Sequence, residues 1–190
     1  MARQPNIWGG GANTNLNGLE FERTTSLNET LRKDGFEIND NNEIRLKDKF
    51  IGWSLPQHKV YKDFLIKKGI DYREYNSKKW LPDECFVNEL NGTVYIIEKK
   101  FQMSSGSVDE KLPSCHFKAK EYKKLFEPLM YKVEFYYVFN DWFKHPGYKD
   151  TLEYIEEMGC KYFWGEIPFK YLGLEFNKSS EEIIRVTYKP

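Results

Sequence analysis

The chain has 190 residues, which is the size of one domain and long enough to bury a substantial core. Its 29 lysines and arginines balance 29 aspartates and glutamates, so the net charge is zero. This balance argues against a polycation that binds nucleic acid through bulk charge alone, although it leaves room for a locally basic surface. The sequence contains no long apolar run and no signal-peptide pattern, and its three cysteines show neither zinc-ligand nor disulfide spacing. We therefore expect a reduced, cytoplasmic setting.

The first third of the chain predicts helices and short strands. Residues 1–17 are rich in glycine and asparagine and predict a loop or arm, and Leu19–Arg32 has leucines at helical spacing. The following segments predict a strand, a turn, a second strand and a helix that a glycine ends: 36–38, 40–42, 44–46, 59–68 and Gly69.

The segment 82–102 predicts a β-hairpin. Asn91-Gly92 between two β-prone runs is the strongest short signal for a two-residue type I′ turn. In that register Asp83 lies opposite Lys100, and Cys85 lies opposite Glu98. Because side chains alternate between the faces of a strand, Asp83, Glu98 and Lys100 would converge on one small patch. A slip of one residue would send Asp83 to the other face.

The middle of this hairpin is apolar on both faces, with Cys85, Val87 and Ile96 on one and Phe86, Tyr95 and Ile97 on the other. Such a strand usually lies inside a sheet, so we expect the charged residues at its end to face a cleft. Two neighbouring carboxylates there are costly without a cation, and a hard divalent ion such as Mg²⁺ would relieve that cost. The nearby lysine could orient or deprotonate a water, or stabilise charge in the transition state. The alternative is a solvated strand end with a surface ion pair.

An acid and a lysine separated by one residue form a weak pattern by themselves, because the chain contains this spacing at 98–100, 109–111 and 121–123. Only the first lies on a predicted strand with a Pro-Asp pair upstream at a hairpin's distance. The second falls in a predicted loop and the third on a predicted helix. The pattern at 98–100 is therefore the candidate site.

The second half predicts alternating helices and strands. We expect helices at 117–126 and 148–158, the latter ended by Gly159, and strands at 133–140, 161–164 and 183–188. This order predicts an α/β fold in which a mixed central β-sheet is flanked by helices, within a single domain of residues 1–190. Six lysines against two glutamates in 111–132 indicate either a DNA-contacting face or a solvated helix surface.

Pro82-Asp83 followed by Glu98-Lys99-Lys100 resembles the signature of the PD-(D/E)XK nuclease superfamily. Other stretches are similar to type II restriction endonucleases within it: the entry to the first helix at 9–22, the glutamine that extends the motif at 98–102, and the loop at 105–112. The resemblance runs in order from about Asn13 to about Asn140. It implies a restriction-endonuclease-like fold and cleavage of DNA with Mg²⁺.

The resemblance implies a role for each matching acid and for the lysine. Asp83 and Glu98 would hold the metal ion, and Lys100 would be the catalytic lysine. Glu22 would reach the metal site directly or through water, with Glu20 as the rival for that role.

The resemblance also suggests contacts with DNA. Gln102 would orient groups or contact the phosphate backbone. Lys111, the first lysine of the basic segment 111–132, is a second candidate DNA contact on the ground of charge. Where other members carry an apolar residue between the acid and the lysine, this chain has Lys99, which we expect to reach solvent or phosphate.

The function implied by the resemblance is that of a type II restriction endonuclease acting on double-stranded DNA. Such enzymes usually bind palindromic sites as twofold dimers, so we expect a homodimer. The resemblance also implies a separate cognate DNA methyltransferase in the cell. One alternative is a repair or junction nuclease of the same superfamily that selects DNA by structure. Another is a non-catalytic DNA-binding protein that keeps the fold as a scaffold.

Overall fold

The computed structural model describes residues 10–104, 108–176 and 183–184. Its main feature is a sheet of seven strands, which lie side by side in chain order. These strands are β1 (Glu37–Ile38), β2 (Glu43–Leu46), β3 (Lys49–Ser54), β4 (Glu84–Asn88), β5 (Thr93–Lys100), β6 (Lys132–Phe139) and β7 (Lys161–Trp164). Neighbours from β1 to β5 pair antiparallel, whereas β5, β6 and β7 pair parallel. The predicted mixed sheet is therefore confirmed.

Helices flank the sheet, and a separate two-stranded sheet lies near the end of the described chain. The α-helices are α1 (Gly10–Thr24), α2 (Leu27–Lys33), α3 (Cys115–Phe126) and α4 (Lys149–Glu157). The second sheet pairs β8 (Glu175–Phe176) with β9 (Ile183–Ile184). A π-helical turn at Val60–Leu65 continues into a 3₁₀ turn at Ile66–Lys68, and further 3₁₀ turns are Tyr72–Glu74, Asp109–Ser114, Glu127–Leu129, Asp141–Lys144, Pro146–Tyr148 and Phe169–Leu172. None of the helices in the described ranges has the length and apolar character that crossing a membrane requires.

Two hydrophobic cores cover the two faces of the sheet. The larger core joins the sheet to α3, α4 and the helical segment 60–68, and the smaller joins it to α2 and the turn at Phe169–Leu172. The hairpin of β4 and β5 divides its side chains as the alternation predicts: Cys85, Val87 and Ile96 enter the larger core, and Phe86, Tyr95 and Ile97 the smaller. This hairpin therefore lies in the interior of the molecule, and its end carries the candidate site.

The N-terminal prediction was partly wrong. Helix α1 begins at Gly10, so residues 10–17 are helical and not a loop or arm, whereas residues 1–9 lie outside the described residues. Contacts with the end of β5 hold this helix despite its weak local propensity, since the Phe21 and Phe101 rings lie 5.5 Å apart. The helix predicted over 19–32 is divided in two because Thr25 Oγ1 donates to the Phe21 carbonyl, and Ser26 caps α2 by accepting from the Glu29 N–H.

The sequence did not predict β3. A glycine inside a strand usually weakens it, yet Gly52 is required here. A Cβ at this position would lie 1.8 Å from the Val87 carbonyl oxygen of β4. The close approach of the two strands thus explains the glycine.

Most other predicted elements are confirmed within a few residues. These are β1, β2 and the turn between them, the helical segment 60–68 ended by Gly69, α3, β6, α4 with Gly159 after it, and β7. Of the strand predicted at 183–188, residues 183–184 form β9 and residues 185–188 lie outside the described residues. Residues 105–107 of the predicted polar loop also lie outside the described residues.

Candidate active site

The turn of the β4–β5 hairpin differs from the prediction. Asn88 pairs with Thr93, so four residues form the loop instead of two. Asn88 Oδ1 accepts the N–H of Leu90, and Asn91 Oδ1 accepts the N–H of Thr93, at 2.8 and 3.1 Å. Each asparagine thereby closes a turn with its own side chain. In this loop only Gly92 has a positive φ, whereas a type I′ turn needs two such residues.

The register of the hairpin is therefore shifted by two residues from the predicted one. Cys85 faces Ile96 and not Glu98, and the described pairing ends at Glu84 opposite Ile97. The predicted pairing of Asp83 with Lys100 and of Cys85 with Glu98 was wrong. Because side chains repeat every two residues, an even shift leaves each one on its predicted face.

Asp83, Glu98 and Lys100 lie together at the end of this hairpin. The Lys100 ammonium nitrogen is 2.9 Å from Glu98 Oε2 and 3.6 Å from Asp83 Oδ2. It also donates to the Lys99 carbonyl at 3.0 Å. One positive charge thus bridges two carboxylates that come from neighbouring strand ends.

The backbone and neighbouring side chains hold both carboxylates. Asp83 Oδ2 accepts the Lys99 N–H at 2.7 Å, which ties the residue before β4 to β5. Glu98 is only 5% exposed, and its Oε2 accepts a second ammonium, that of Lys118 on α3, at 3.0 Å. The other oxygens, Asp83 Oδ1 and Glu98 Oε1, accept no hydrogen bond from the described residues.

This set of donors fits a hard divalent cation. Carboxylate oxygens are the ligands that Mg²⁺ prefers, and Mg²⁺ is commonly held by one or two carboxylates together with waters and substrate phosphates. The described residues contain no group of three or more histidine, cysteine, aspartate or glutamate side chains arranged to hold a metal ion. The site has two carboxylates, Asp83 and Glu98, which would be the protein ligands of such an ion.

Glu22 and Glu20 lie on α1 with exposed side chains. The backbone of Glu22 is tied to the hairpin, because its carbonyl accepts the Lys99 ammonium at 2.9 Å. Its carboxylate makes no hydrogen bond or ion pair with the other described residues, and the same holds for Glu20. The structure thus places α1 beside Lys99, on the face of β5 opposite Glu98, and neither glutamate contacts Asp83, Glu98 or Lys100.

Gln102 and Lys111 occupy different environments. Gln102 is 4% exposed, and its backbone pairs with the Asn140 side chain at 2.8 and 3.2 Å. Its own side-chain amide is buried and has no hydrogen-bond partner among the described residues. Lys111 is exposed in the turn Asp109–Ser114. The Lys111 side chain is therefore accessible from solvent, whereas the Gln102 side chain is enclosed by protein.

The expectation that Lys99 reaches solvent or phosphate was wrong. Its side chain is 4% exposed, and its ammonium lies 2.9 Å from Glu84 Oε1 on the face opposite Glu98. Burial raises the pKa of Glu84, and the charge and hydrogen bond of Lys99 counter part of that rise. Glu84 also accepts the Leu27 N–H at 2.9 Å, so this buried pair connects the hairpin to α2.

Sequence reasoning missed two residues of α3 that face the site. Lys118 was counted only as part of a basic segment, yet it contacts Glu98. Tyr122, one helical turn later, is buried, and its hydroxyl has no hydrogen-bond partner in the described ranges. Burial raises the pKa of Tyr122, and the neighbouring Tyr61 and Glu98 raise it further. The spacing of four residues on one helix was the available signal, because such residues share a helix face.

Half of the lysines in the basic segment 111–132 are paired with carboxylates and do not present an unpaired charge. Three of its six lysines form ion pairs with carboxylates: Lys118 with Glu98, Lys124 with Glu121, and Lys132 with Glu134. The other two acid-lysine patterns do not form comparable sites, since Asp109 accepts from the Tyr148 hydroxyl and Glu121 lies on α3.

Comparison with known proteins agrees with this geometry. The family model described as a PD-(D/E)XK nuclease superfamily domain matches residues 20–128, which is more than half of the chain and includes α2, the β4–β5 hairpin and α3. No curated protein and no solved structure matches the chain significantly. The mixed seven-stranded sheet with flanking helices is consistent with a restriction-endonuclease-like fold. The chain belongs to the PD-(D/E)XK nuclease superfamily.

Proposed function

We propose that this nuclease is a type II restriction endonuclease that uses Mg²⁺ to hydrolyse phosphodiester bonds at a specific double-stranded DNA sequence. This proposal depends mainly on one observation: the carboxylates of Asp83 and Glu98 both lie next to the Lys100 ammonium. The restriction subtype is supported by the sequence resemblance of the helix entry, the extended motif and the following loop.

Each residue of the site has a chemical task in this proposal. Asp83 and Glu98 would hold the metal ion, which when bound supplies Lewis-acid polarisation of the phosphate. Lys100 would orient the attacking water or stabilise the charge that develops on the phosphate oxygens. Glu22 on α1 would reach the metal directly or through water, a role that the sequence resemblance supports.

DNA contacts form the second part of the proposal. Lys111 would contact the phosphate backbone from its exposed turn, and Gln102 would meet the phosphate or water that enters the site. Twofold symmetry of a palindromic target would match a homodimer, and a separate methyltransferase would protect host DNA. A cytoplasmic location is supported by the three buried free thiols, Cys85, Cys115 and Cys160.

Digestion of a mapped plasmid tests the proposal. Purified protein would be incubated with the plasmid and Mg²⁺ or EDTA, and the ends of the products would be determined by run-off sequencing. We expect discrete fragments with Mg²⁺ only, and one common sequence at every end. The matched comparison is Lys100→Ala, which removes the bridging ammonium and should abolish cutting while DNA binding persists.

Two other outcomes would identify the rival functions. Cutting that follows branches, flaps or nicks, without a common sequence, would show a structure-selective repair or junction nuclease. Intact DNA under all metal conditions, with retained binding, would show a scaffold without catalysis.

A further inference from the structure

Glu98 is neutralised by two lysines and not by one. Lys100 on β5 and Lys118 on α3 place their ammonium groups 2.9 and 3.0 Å from the same oxygen, Oε2. A carboxylate that is 5% exposed needs such partners, because an uncompensated buried charge is costly. The superfamily signature in the sequence includes Lys100 but not Lys118.

The two lysines are held differently. Lys100 contacts three oxygens, those of Glu98, Asp83 and the Lys99 carbonyl, and it extends from a central strand. Lys118 forms one ion pair within the described residues, with Glu98, although the two lysine side chains are equally exposed at 19%. Lys118 therefore has fewer partners than Lys100.

The charge balance of the site leads to the inference. Asp83 and Glu98 carry two negative charges, which Lys100 and Lys118 balance. With a divalent cation bound to the same carboxylates, two positive charges are in excess, and the more weakly held ammonium is the one that separates. A phosphodiester beside the metal site offers that ammonium a new partner.

We propose that Lys118 is a second lysine of the active site. It neutralises Glu98 in the metal-free protein, competes with the divalent cation for Glu98, and binds the substrate phosphate once the cation is present. This inference rests on the metal-dependent nuclease activity proposed above, and it adds a residue and an ordered exchange of partners to that activity.

The first test measures metal binding without DNA. Mn²⁺ or Mg²⁺ alone is titrated calorimetrically into the full chain and into Lys118→Met, which keeps most of the aliphatic stem. In Lys118→Met the cation no longer competes with the Lys118 ammonium for Glu98. We therefore expect the dissociation constant of the metal to be about tenfold lower in this variant than in the wild type, equivalent to about 1.4 kcal/mol. Lys118→Arg should bind metal like the wild type. The control is Lys149→Met, which removes an exposed lysine that pairs with Glu153 on α4.

The second test measures single-turnover cleavage at a metal concentration that saturates each protein. Lys118→Met should cleave at least about tenfold more slowly although its metal site is full, and Lys118→Arg should retain most of the rate. Thermal unfolding of each variant reports whether it is folded, and Lys118→Ala provides a second truncation if the methionine packs poorly.

The outcomes separate this inference from the proposed function. Tighter metal binding together with slower cleavage supports the role of Lys118. If wild type binds metal and cleaves but Lys118→Met binds no tighter, or cleaves at the wild-type rate, only the role of Lys118 is overturned. If wild type neither binds metal nor cleaves, the metal-dependent function fails and this inference fails with it.

Discussion

Removal of the Lys99 ammonium tests the buried ion pair behind the active site. Lys99 and Glu84 have side chains that are 4% and 14% exposed, with 2.9 Å between Nζ and Oε1. Lys99→Met leaves the Glu84 carboxylate buried without its counter-ion, and breaking such a pair costs about 3–5 kcal/mol. For a chain of this size, a loss of about 3 kcal/mol lowers the melting temperature by about 6–12 °C.

The pH dependence of this loss has a definite sign. Burial already raises the pKa of Glu84, and loss of Lys99 removes a group that lowers it. In the variant, the folded state keeps a proton on Glu84 over a pH range in which the unfolded chain has released it. Stability therefore decreases as the pH rises from the ordinary glutamate pKa of about 4.3 through the raised folded-state value. The deficit relative to wild type should be larger at pH 7 than at pH 5.

Urea unfolding at both pH values provides the measurement. The double variant Lys99→Met/Glu84→Gln should recover most of the loss, because the glutamine oxygen still accepts the Leu27 N–H without a charge. Lys149→Met on α4 is the surface control and should change stability by less than about 0.5 kcal/mol. A loss below about 1 kcal/mol for Lys99→Met, or no recovery in the double variant, would refute the reasoning.

Two further substitutions test the fold around the site. Gly52→Ala places a Cβ 1.8 Å from the Val87 carbonyl oxygen, so it should cost more than about 3 kcal/mol in urea unfolding, whereas Gly18→Ala, with its nearest neighbour at 3.9 Å, should be neutral or stabilising; equal effects would contradict the close approach of β3 and β4. Tyr122→Phe removes a buried hydroxyl that has no hydrogen-bond partner in the described part of the chain, so stability should stay unchanged or rise by up to about 1 kcal/mol in urea unfolding. A loss of more than about 1 kcal/mol would show that the hydroxyl has a partner.

Local sequence was sufficient to predict the hairpin and the faces of its strands, because the alternation of apolar residues is strong. It was not sufficient for the register. Asn91-Gly92 indicates a two-residue turn, but the side chains of Asn88 and Asn91 close a longer loop. The three site residues still meet because the error was two residues and not one.

The remaining errors concern contacts between distant parts of the chain. The burial of Lys99 depends on Glu84 and on the carbonyl of Glu22. The contact of Lys118 with Glu98 depends on how α3 packs on the sheet. No local pattern contains these pairings, so we expected Lys99 to reach solvent or phosphate and Lys118 to lie on a DNA-contacting face or a solvated helix surface.

The most direct measurement is cleavage by variants that change the charge of the two carboxylates and little else. Wild type, Asp83→Asn, Glu98→Gln and the exposed control Glu157→Gln would be compared on plasmid DNA with Mg²⁺, while DNA binding is measured in EDTA. We predict that wild type and Glu157→Gln cut, and that the two site variants bind DNA without cutting it. Cleavage at the wild-type rate by Asp83→Asn or Glu98→Gln would contradict the assignment of these carboxylates to the active site.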